Sequence, residues 1–258
     1  MLAGDVGSYQ SGSALTGSDF GLQRFSPVRD GNTWKAVLFV PGNHEYDLLE
    51  FHATKDRLRE TCESLGIIWL DRQVVTIGQT RFIGTTLWSD FDAESRVLAM
   101  RSGRNWQESD PDATIKRKKA FRAANHYLRK NTTRMSGQPM LAEDMRPVAL
   151  ECQAWLRGAL DTSFTGTTVV VTHFAPSLQS ADPRYGLGPG TAGFCNSLED
   201  LMVKADIWMH GHLHCHNDYC VQGIQDGREY RCRVVSNPLG YLEKGEQQGF
   251  SESFTIDV

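Results

Sequence analysis

The sequence has no long apolar run, and this absence argues against a membrane-spanning helix. Such a helix needs roughly 18 consecutive apolar residues, and no stretch of the chain approaches that length. An excess of positive charge is also missing, because the formal net charge is −4 at pH 7 and the calculated isoelectric point is about 6.1. Nucleic-acid-binding domains are typically basic, so we expect neither a stable nucleic-acid complex nor a membrane partner. With no recognisable targeting segment, a cytoplasmic location is expected.

The 6 cysteines form no C-x-x-C pair and no closely spaced framework. We therefore expect reduced thiols rather than a disulfide scaffold. A chain of 258 residues, of which 40% are hydrophobic, can bury a substantial core without such links. We predict a single domain over residues 1–258.

Several segments have the length and composition of buried strands or amphipathic helices. Residues 36–40 are a continuous apolar run, and residues 168–172 are rich in β-branched side chains. Apolar residues at helical spacing predict helices over residues 49–65 and 147–160. Further strands are predicted over residues 67–70, 74–77, 81–85, 207–209, 231–236 and 254–257. Because strands and helices alternate in part and strands cluster in part, we predict an α/β fold, a sandwich of two mixed β-sheets flanked by helices.

Residues 93–140 differ in character from the rest of the chain. They carry eleven Lys and Arg side chains and four Asp and Glu side chains, a local excess of seven positive charges. We predict a partly helical, cap-like insertion in the core fold. Its charge favours either a cap that attracts an anionic substrate or an ordinary solvated helix face.

Two histidines near the carboxyl-terminal part of the chain are spaced as metal ligands. Alternation along an extended segment puts His212 and His214 on the same side, and Gly211 permits a tight turn just before them. Two neutral imidazoles that face one way are typical of a transition-metal site. The alternative is a pair of polar turn histidines without a ligand.

Residue types that bind metals follow directly after four apolar segments. Each one alone has a structural explanation, such as a turn-forming Asp5, a left-handed Asn43 or a hydrogen-bonded core His173. Their joint occurrence favours a shared site, since polar residues on loops at strand ends are the usual location of an α/β active site. The candidates are Asp5, Asn43, His44, His173, His212 and His214.

Together these fragments resemble the calcineurin-like metallophosphoesterase superfamily. The matching pieces are Gly4-Asp5, Gly42-Asn43-His44-Glu45, Val171-Thr172-His173 and Gly211-His212-Leu213-His214, which occur in the family's order and span nearly the whole chain. In addition, residues 82–88 and 236–241 look like a bacterial subgroup whose members are mostly uncharacterised phosphoesterases.

The resemblance implies a binuclear centre in which Asp5 bridges two metal ions. One ion would also bind Asn43, His173 and His212, and the other would bind His214. Two cations about 3.5–4 Å apart can share a bridging hydroxide and hold a phosphate oxygen for in-line attack. Mixed nitrogen and oxygen ligands suit Mn, Fe, Zn or Ni. His44, which is not a ligand in the family, would protonate the leaving oxygen or stabilise the transition state.

Two features depart from the family pattern. The first motif, an Asp-x-His, is absent; in relatives it lies upstream of the Gly-Asp motif across a βαβ unit of about 30 residues or more. It supplies two ligands to the ion that His214 touches. Either translation begins at this Met or upstream sequence is missing. From the residues present, we expect one nearly complete metal site and one incomplete site. Moreover, Ser8 stands where many relatives have an aspartate that orients the catalytic histidine, which leaves Asp47, Glu45 or neither for that role.

We therefore expect a metal-dependent phosphoesterase with one or two divalent ions per chain, acting on a phosphorylated small molecule or a nucleotide. The alternative is a catalytically weak or inactive family member that binds metal or a nucleotide and acts as a regulatory or interaction module; the absent first motif favours it. A zinc hydrolase of acyl or lactam bonds is disfavoured, because its H-x-H-x-D-H cluster is missing. Monoester or diester preference and oligomeric state stay open.

Overall fold

The structure is a computed structural model that describes residues 1–8, 17–130, 133–225 and 227–258. The described strands are β1 Leu38–Phe39, β2 Ile68–Trp69, β3 Gln73–Ile77, β4 Thr80–Thr85, β5 Arg134–Met135, β6 Gln138–Pro139, β7 Thr167–Thr172, β8 Ile207–His210, β9 Asn217–Gln225 and β10 Arg228–Ser236. The α-helices are α1 Phe51–Ser64, α2 Ala93–Arg101, α3 Pro111–Leu128, α4 Ala142–Asp161 and α5 Glu199–Met202. Short 3-10 helices cover Leu22–Phe25, His44–Tyr46, Leu178–Ser180, Thr191–Gly193 and Leu242–Lys244.

A six-stranded mixed sheet with the order β3-β4-β7-β8-β10-β9 forms the centre of the molecule. Its four inner strands are parallel, and the edge strands β3 and β9 run antiparallel to their neighbours. Because β7 and β8 are parallel and Thr172 pairs with His210, the residues that follow both strands leave the sheet at the same edge. The predicted α/β class, with a mixed sheet flanked by helices, is confirmed.

A second, smaller sheet places the amino terminus beside the same edge. Strands β1 and β2 are parallel, and Leu2 pairs with Phe39 in a parallel bridge. The Leu2 backbone N–H donates to the Leu38 carbonyl at 2.9 Å, and the Val40 N–H donates to the Leu2 carbonyl at 3.0 Å. Residues 3–5 and 41–43 therefore leave this sheet side by side.

Alternating side chains of β7 pack in two apolar clusters, as the two-residue period of a strand requires. Val169 and Val171 pack in a cluster with Leu38 and Val40, which joins the large sheet to the small one. Val170 belongs to a larger cluster that includes buried residues of α1 and α4. A chain buried in this way holds the strand ends, and hence the loops that follow them, in a fixed arrangement.

Residues 93–140 contain the helices α2 and α3 and the hairpin β5–β6. Helix α3 begins as its sequence suggests, with Pro111 in the first turn and the Asp110 carboxylate accepting from the Asp112 N–H at 2.9 Å. The buried Asp92 carboxylate ties this region to the core, since Arg117 of α3 and Arg146 of α4 both contact it.

One predicted strand is wrong. Residues 254–257 form no strand, although Phe254 and Ile256 are partly buried against the cluster that joins the two sheets. Their alternation reflects packing of an irregular segment, since residues 254–257 belong to none of the described sheets. No helix in the described part of the chain is long and apolar enough to cross a membrane.

Candidate metal centre

Side chains from three distant parts of the chain meet where the two sheets end together. Asp5 follows the amino-terminal bridge, His173 follows β7, and His212 follows β8. Each offers a potential ligand atom, and these atoms all lie within 4.8 Å of one another. The fourth predicted ligand, Asn43, follows the small sheet and points its Oδ1 at His173 Nε2, 3.1 Å away. The fold thus brings together four of the five predicted ligands.

Asp5 is held in an unusual backbone conformation at the centre of this group. Its φ is +56°, a left-handed value that costs a non-glycine residue about 1–3 kcal/mol. Its Oδ1 accepts the His44 backbone N–H at 2.9 Å, and its Oδ2 lies 3.2 Å from His173 Nε2. Burial opposes ionisation of Asp5, but the neighbouring His173 and His44 outweigh it and lower the pKa of this carboxyl. The carboxylate form is therefore the one present at neutral pH.

Two glycines permit the close approach of the chain segments around Asp5. Gly4 has a φ of +87°, and a Cβ at this position would collide with the His173 ring and the Gly42 backbone. A Cβ at Gly42 would lie 2.6 Å from both the Asp5 backbone nitrogen and His173 Cε1. Only glycine at these two positions lets the three segments meet.

The hydrogen bonding of His173 leaves one of its nitrogens facing two oxygens. The buried ring has Nδ1 2.7 Å from the Ala3 carbonyl, which can only accept, so Nδ1 carries the proton. In a neutral ring Nε2 then has a lone pair, yet it faces Asp5 Oδ2 and Asn43 Oδ1. Burial lowers the pKa of His173, but Asp5 outweighs it and the pKa is raised. A positive charge between His173 Nε2 and the oxygens Asp5 Oδ2 and Asn43 Oδ1 would therefore stabilise this arrangement.

His212 completes the group as a neutral imidazole. Its φ is +64°, a second left-handed backbone among the converging residues. Its buried Nε2 has no hydrogen-bond partner among the described residues. Burial, reinforced by His173, lowers the pKa of His212 well below its ordinary value. The ring lies between Phe174, stacked at 4.2 Å, and Phe194 at 5.3 Å, which fix its orientation.

The Glu45 carboxylate fastens the loop of Asp5 to the loop of Asn43. This buried group accepts the backbone N–H of Asp5 at 3.0 Å, of Val6 at 2.5 Å, of Gly7 at 3.4 Å and of Gly42 at 2.6 Å. Burial and the nearby Asp5 carboxylate raise the pKa of Glu45 to about 7. Its four backbone contacts make it a structural clamp, a role that the sequence did not reveal.

His44 stands beside the group and is held by an acid. Its Nδ1 lies 2.6 Å from Asp47 Oδ2, and its Nε2 lies 3.3 Å from the Tyr241 hydroxyl. Burial opposes protonation, but Asp5 and then Asp47 outweigh it and raise the pKa of His44 to about 9. The sequence left Asp47, Glu45 or neither as the acid that orients His44, and in this geometry Asp47 is the acid in contact with its ring.

His214 is not part of the group of three. Its Nδ1 contacts Glu246 Oε2 at 2.6 Å, and its ring packs edge-on against Tyr241 at 4.6 Å. Glu246 also accepts the Tyr241 backbone N–H at 2.9 Å. Sequence reasoning did not identify Glu246, because it lies 32 residues beyond His214 in a loop without a motif. The role of His214 as a ligand of a second ion stays a prediction.

A scan against protein-family models gives no match. Among curated proteins, the uncharacterized protein L509 of Acanthamoeba polyphaga mimivirus is 24% identical over an alignment of 251 positions, and the alignment covers 92% of this chain and 77% of that protein. Among solved structures, the crystal structure of the phosphopantetheinyl hydrolase PptH from Mycobacterium tuberculosis is similar with a TM-score of 0.49 and 18% identity, over 83% of this chain and 73% of that chain.

Proposed function

We propose that this chain is a metal-dependent phosphoesterase whose metal site consists of Asp5, Asn43, His173 and His212. The observation that carries the proposal is the approach of Asp5, His173 and His212 to within 4.8 Å of one another, from positions up to 207 residues apart in the chain. A purely structural core does not require a carboxylate and two imidazoles to converge at the edge of a sheet. The left-handed backbone of Asp5 and His212 supports the same conclusion, because strain of this kind concentrates at functional sites.

The donor set fits a divalent transition metal. Two imidazole nitrogens with two oxygens, from a carboxylate and an amide, are a mixed set that suits Mn, Fe, Zn or Ni. In the described part of the chain, His212 Nε2 has no hydrogen-bond partner and His173 Nε2 faces only acceptors; a cation between them would satisfy both. His214, together with Asp5, is the candidate for a second ion. A bound divalent cation would supply Lewis-acid polarisation of a phosphoryl oxygen and a water of lowered pKa.

The residues of the chain itself would supply the proton and the orientation. His44 carries a proton at neutral pH because its pKa is raised, and its Nε2 is the atom that could donate to the leaving oxygen. Asp47 holds the opposite ring nitrogen and so fixes which nitrogen faces the substrate. Tyr241, whose hydroxyl is 3.3 Å from His44 Nε2, borders the position of that leaving group.

Hydrolysis of an aryl phosphodiester and an aryl phosphomonoester with added Mn²⁺, alongside metal content by mass spectrometry, tests the proposal. We expect measurable turnover and at least one bound ion per chain. His173→Ala should remove both, whereas His52→Ala, which alters an exposed histidine of α1, should preserve both. Equal metal content in wild type and His173→Ala would refute the site, and a filled site without turnover on either ester would refute the phosphoesterase.

A metal-binding module without strong catalysis is the second candidate. It is favoured by one observation: among the described residues, a single group of three satisfies the geometry for an ion, and His214 is outside it. A protein with one bound ion and no turnover in the experiment above would have this function.

A further inference from the structure

A cavity of about 440 Å³ lies on the surface formed by helix α3 and the start of α4, among residues that the proposed metal centre does not use. Its volume is within the range of about 300–1,000 Å³ that small-molecule sites occupy. Three basic side chains line it, those of Lys118, Arg122 and Arg129.

The basic residues lie on one face of the helix. Lys118, Arg122 and His126 follow one another at intervals of four, and Arg129, the C-cap residue directly after α3, is three further on. Residues three and four apart are neighbours on a helix surface, so these side chains form one continuous stripe. The stripe from Lys118 to Arg129 is about 16 Å long at 1.5 Å per residue.

The cations of α3 are divided into two groups by their partners. Lys116 contacts Glu94 at 2.6 Å and Arg117 contacts Asp92 at 2.7 Å, so the charges on that face are neutralised. Lys118, Arg122 and Arg129 have no ion pair with any carboxylate in the described part of the chain. In a chain with a formal net charge of −4, three cations that form no ion pair with another described residue thus gather at one cavity.

The single acidic side chain of the cavity is already engaged. Glu143 accepts a hydrogen bond from Asn125 Nδ2 at 2.8 Å, and the other end of that buried amide accepts the Ala142 backbone N–H at 2.8 Å. This arrangement holds Glu143 at the start of α4 and leaves the cavity with three positive side chains against one negative. Phe121 adds a half-buried aromatic surface, whose ring is packed edge-on against Phe91 at 5.0 Å.

We propose that this cavity is a second binding site, separate from the metal centre, for a small anion with two or three linked phosphate groups. Lys118 and Arg122 are one helical turn apart and can contact the same phosphate. Arg129 lies about 10 Å further along the axis, so a single phosphate would not reach all three, whereas a di- or triphosphate chain would. A nucleoside triphosphate and an inorganic triphosphate share this chemistry. Phe121 is the surface on which the base of a nucleotide would stack.

Isothermal titration with inorganic triphosphate, pyrophosphate and ATP, in wild type and in His173→Ala, tests the proposal. Because the phosphates could also bind a metal centre, retention in His173→Ala separates the two sites. We expect one saturable site, retained in that variant and weakened about tenfold or more by Arg122→Glu and by Arg129→Glu, a loss of at least 1.4 kcal/mol. Equal affinity for triphosphate and ATP would show that the site recognises the phosphate chain. If ATP binds more tightly than triphosphate and Phe121→Ala abolishes that difference, the site also recognises the base.

The matched control is Lys119→Glu. Lys119 is exposed on the same helix, next in sequence to Lys118, but does not line the cavity. The same change of charge there should alter affinity less than twofold, with all variants folded by circular dichroism. Equal losses of affinity in Lys119→Glu and Arg122→Glu would show that only the overall charge of the protein matters, and would overturn the proposal. Loss of binding in His173→Ala, or no saturable binding of any of the three anions, would also overturn it.

Discussion

Nδ1 of His173 lies 2.7 Å from the backbone carbonyl of Ala3, so the ring of a residue after β7 is fixed by the amino-terminal strand segment. This contact determines which nitrogen keeps its proton and therefore which one faces Asp5 and Asn43. Orientation of a ligating histidine by a hydrogen bond at its other nitrogen is a general feature of metal sites. The amino-terminal segment thus contributes to the site through the Ala3 backbone as well as through the Asp5 side chain.

Removal of the Glu45 carboxylate should destabilise the protein strongly. Glu45→Ala leaves backbone N–H groups of Asp5, Val6 and Gly42 without their acceptor, and unsatisfied buried donors cost about 1–3 kcal/mol each. We expect a loss of about 3 kcal/mol or more in the free energy of unfolding, measured by urea denaturation without metal. Glu63→Ala, at an exposed position of α1, should change it by about 0.5 kcal/mol or less. Similar values for the two variants would contradict the clamp.

Replacement of Asp47 should affect turnover and spare metal binding. Asp47→Asn keeps the size of the side chain but removes the negative charge that holds the His44 ring and, with Asp5, raises its pKa. If His44 delivers the proton, kcat on an aryl phosphodiester should fall about 100-fold, with bound metal unchanged. Asp56→Asn, at an exposed position of α1, is the control. An unchanged kcat in Asp47→Asn would remove His44 and Asp47 from the mechanism.

A single methyl group at Gly42 should disrupt the metal site. In Gly42→Ala the new Cβ would lie 2.6 Å from the Asp5 nitrogen and from His173 Cε1, and neither atom belongs to a flexible side-chain end. We expect metal affinity to fall about tenfold or more, measured by titration with Mn²⁺.

The matched glycine is Gly158, in the interior of α4. A Cβ there would meet no atom within 4 Å, so Gly158→Ala should leave metal affinity unchanged and stabilise the helix by about 0.5–1 kcal/mol. Metal affinity that is equal in the two alanine variants would show that the close approach at Gly42 is not needed.

The cysteines should differ sharply in reactivity. Burial raises the pKa of the Cys62, Cys152, Cys195 and Cys232 thiols to about 12, so only about one in ten thousand is a thiolate at pH 8. We expect iodoacetamide at pH 8 to label the exposed Cys220 first and these four only after unfolding, as read by mass spectrometry. Rapid labelling of any of the four in the native protein would contradict the packing of the core.

The sequence alone was sufficient to locate most elements and the ends of the strands that carry the candidate ligands. Apolar runs and their terminating glycines are local signals, and the predicted positions of Asp5, Asn43, His173 and His212 follow from them. The same local logic failed at residues 254–257, because alternation of apolar residues does not ensure that a neighbouring strand is available for pairing.

Which residues meet was decided only by the tertiary structure. The pairing of Thr172 with His210 and of Leu2 with Phe39 brings the strand ends together, and no local pattern specifies such long-range partners. The contact of Glu246 with His214 likewise depends on a side chain 32 residues away. The pairing of Lys116 and Arg117 depends on Glu94 and Asp92, which lie in another segment of the chain. Sequence periodicity sets which face of an element is apolar, whereas the packing of whole elements sets what each polar side chain touches.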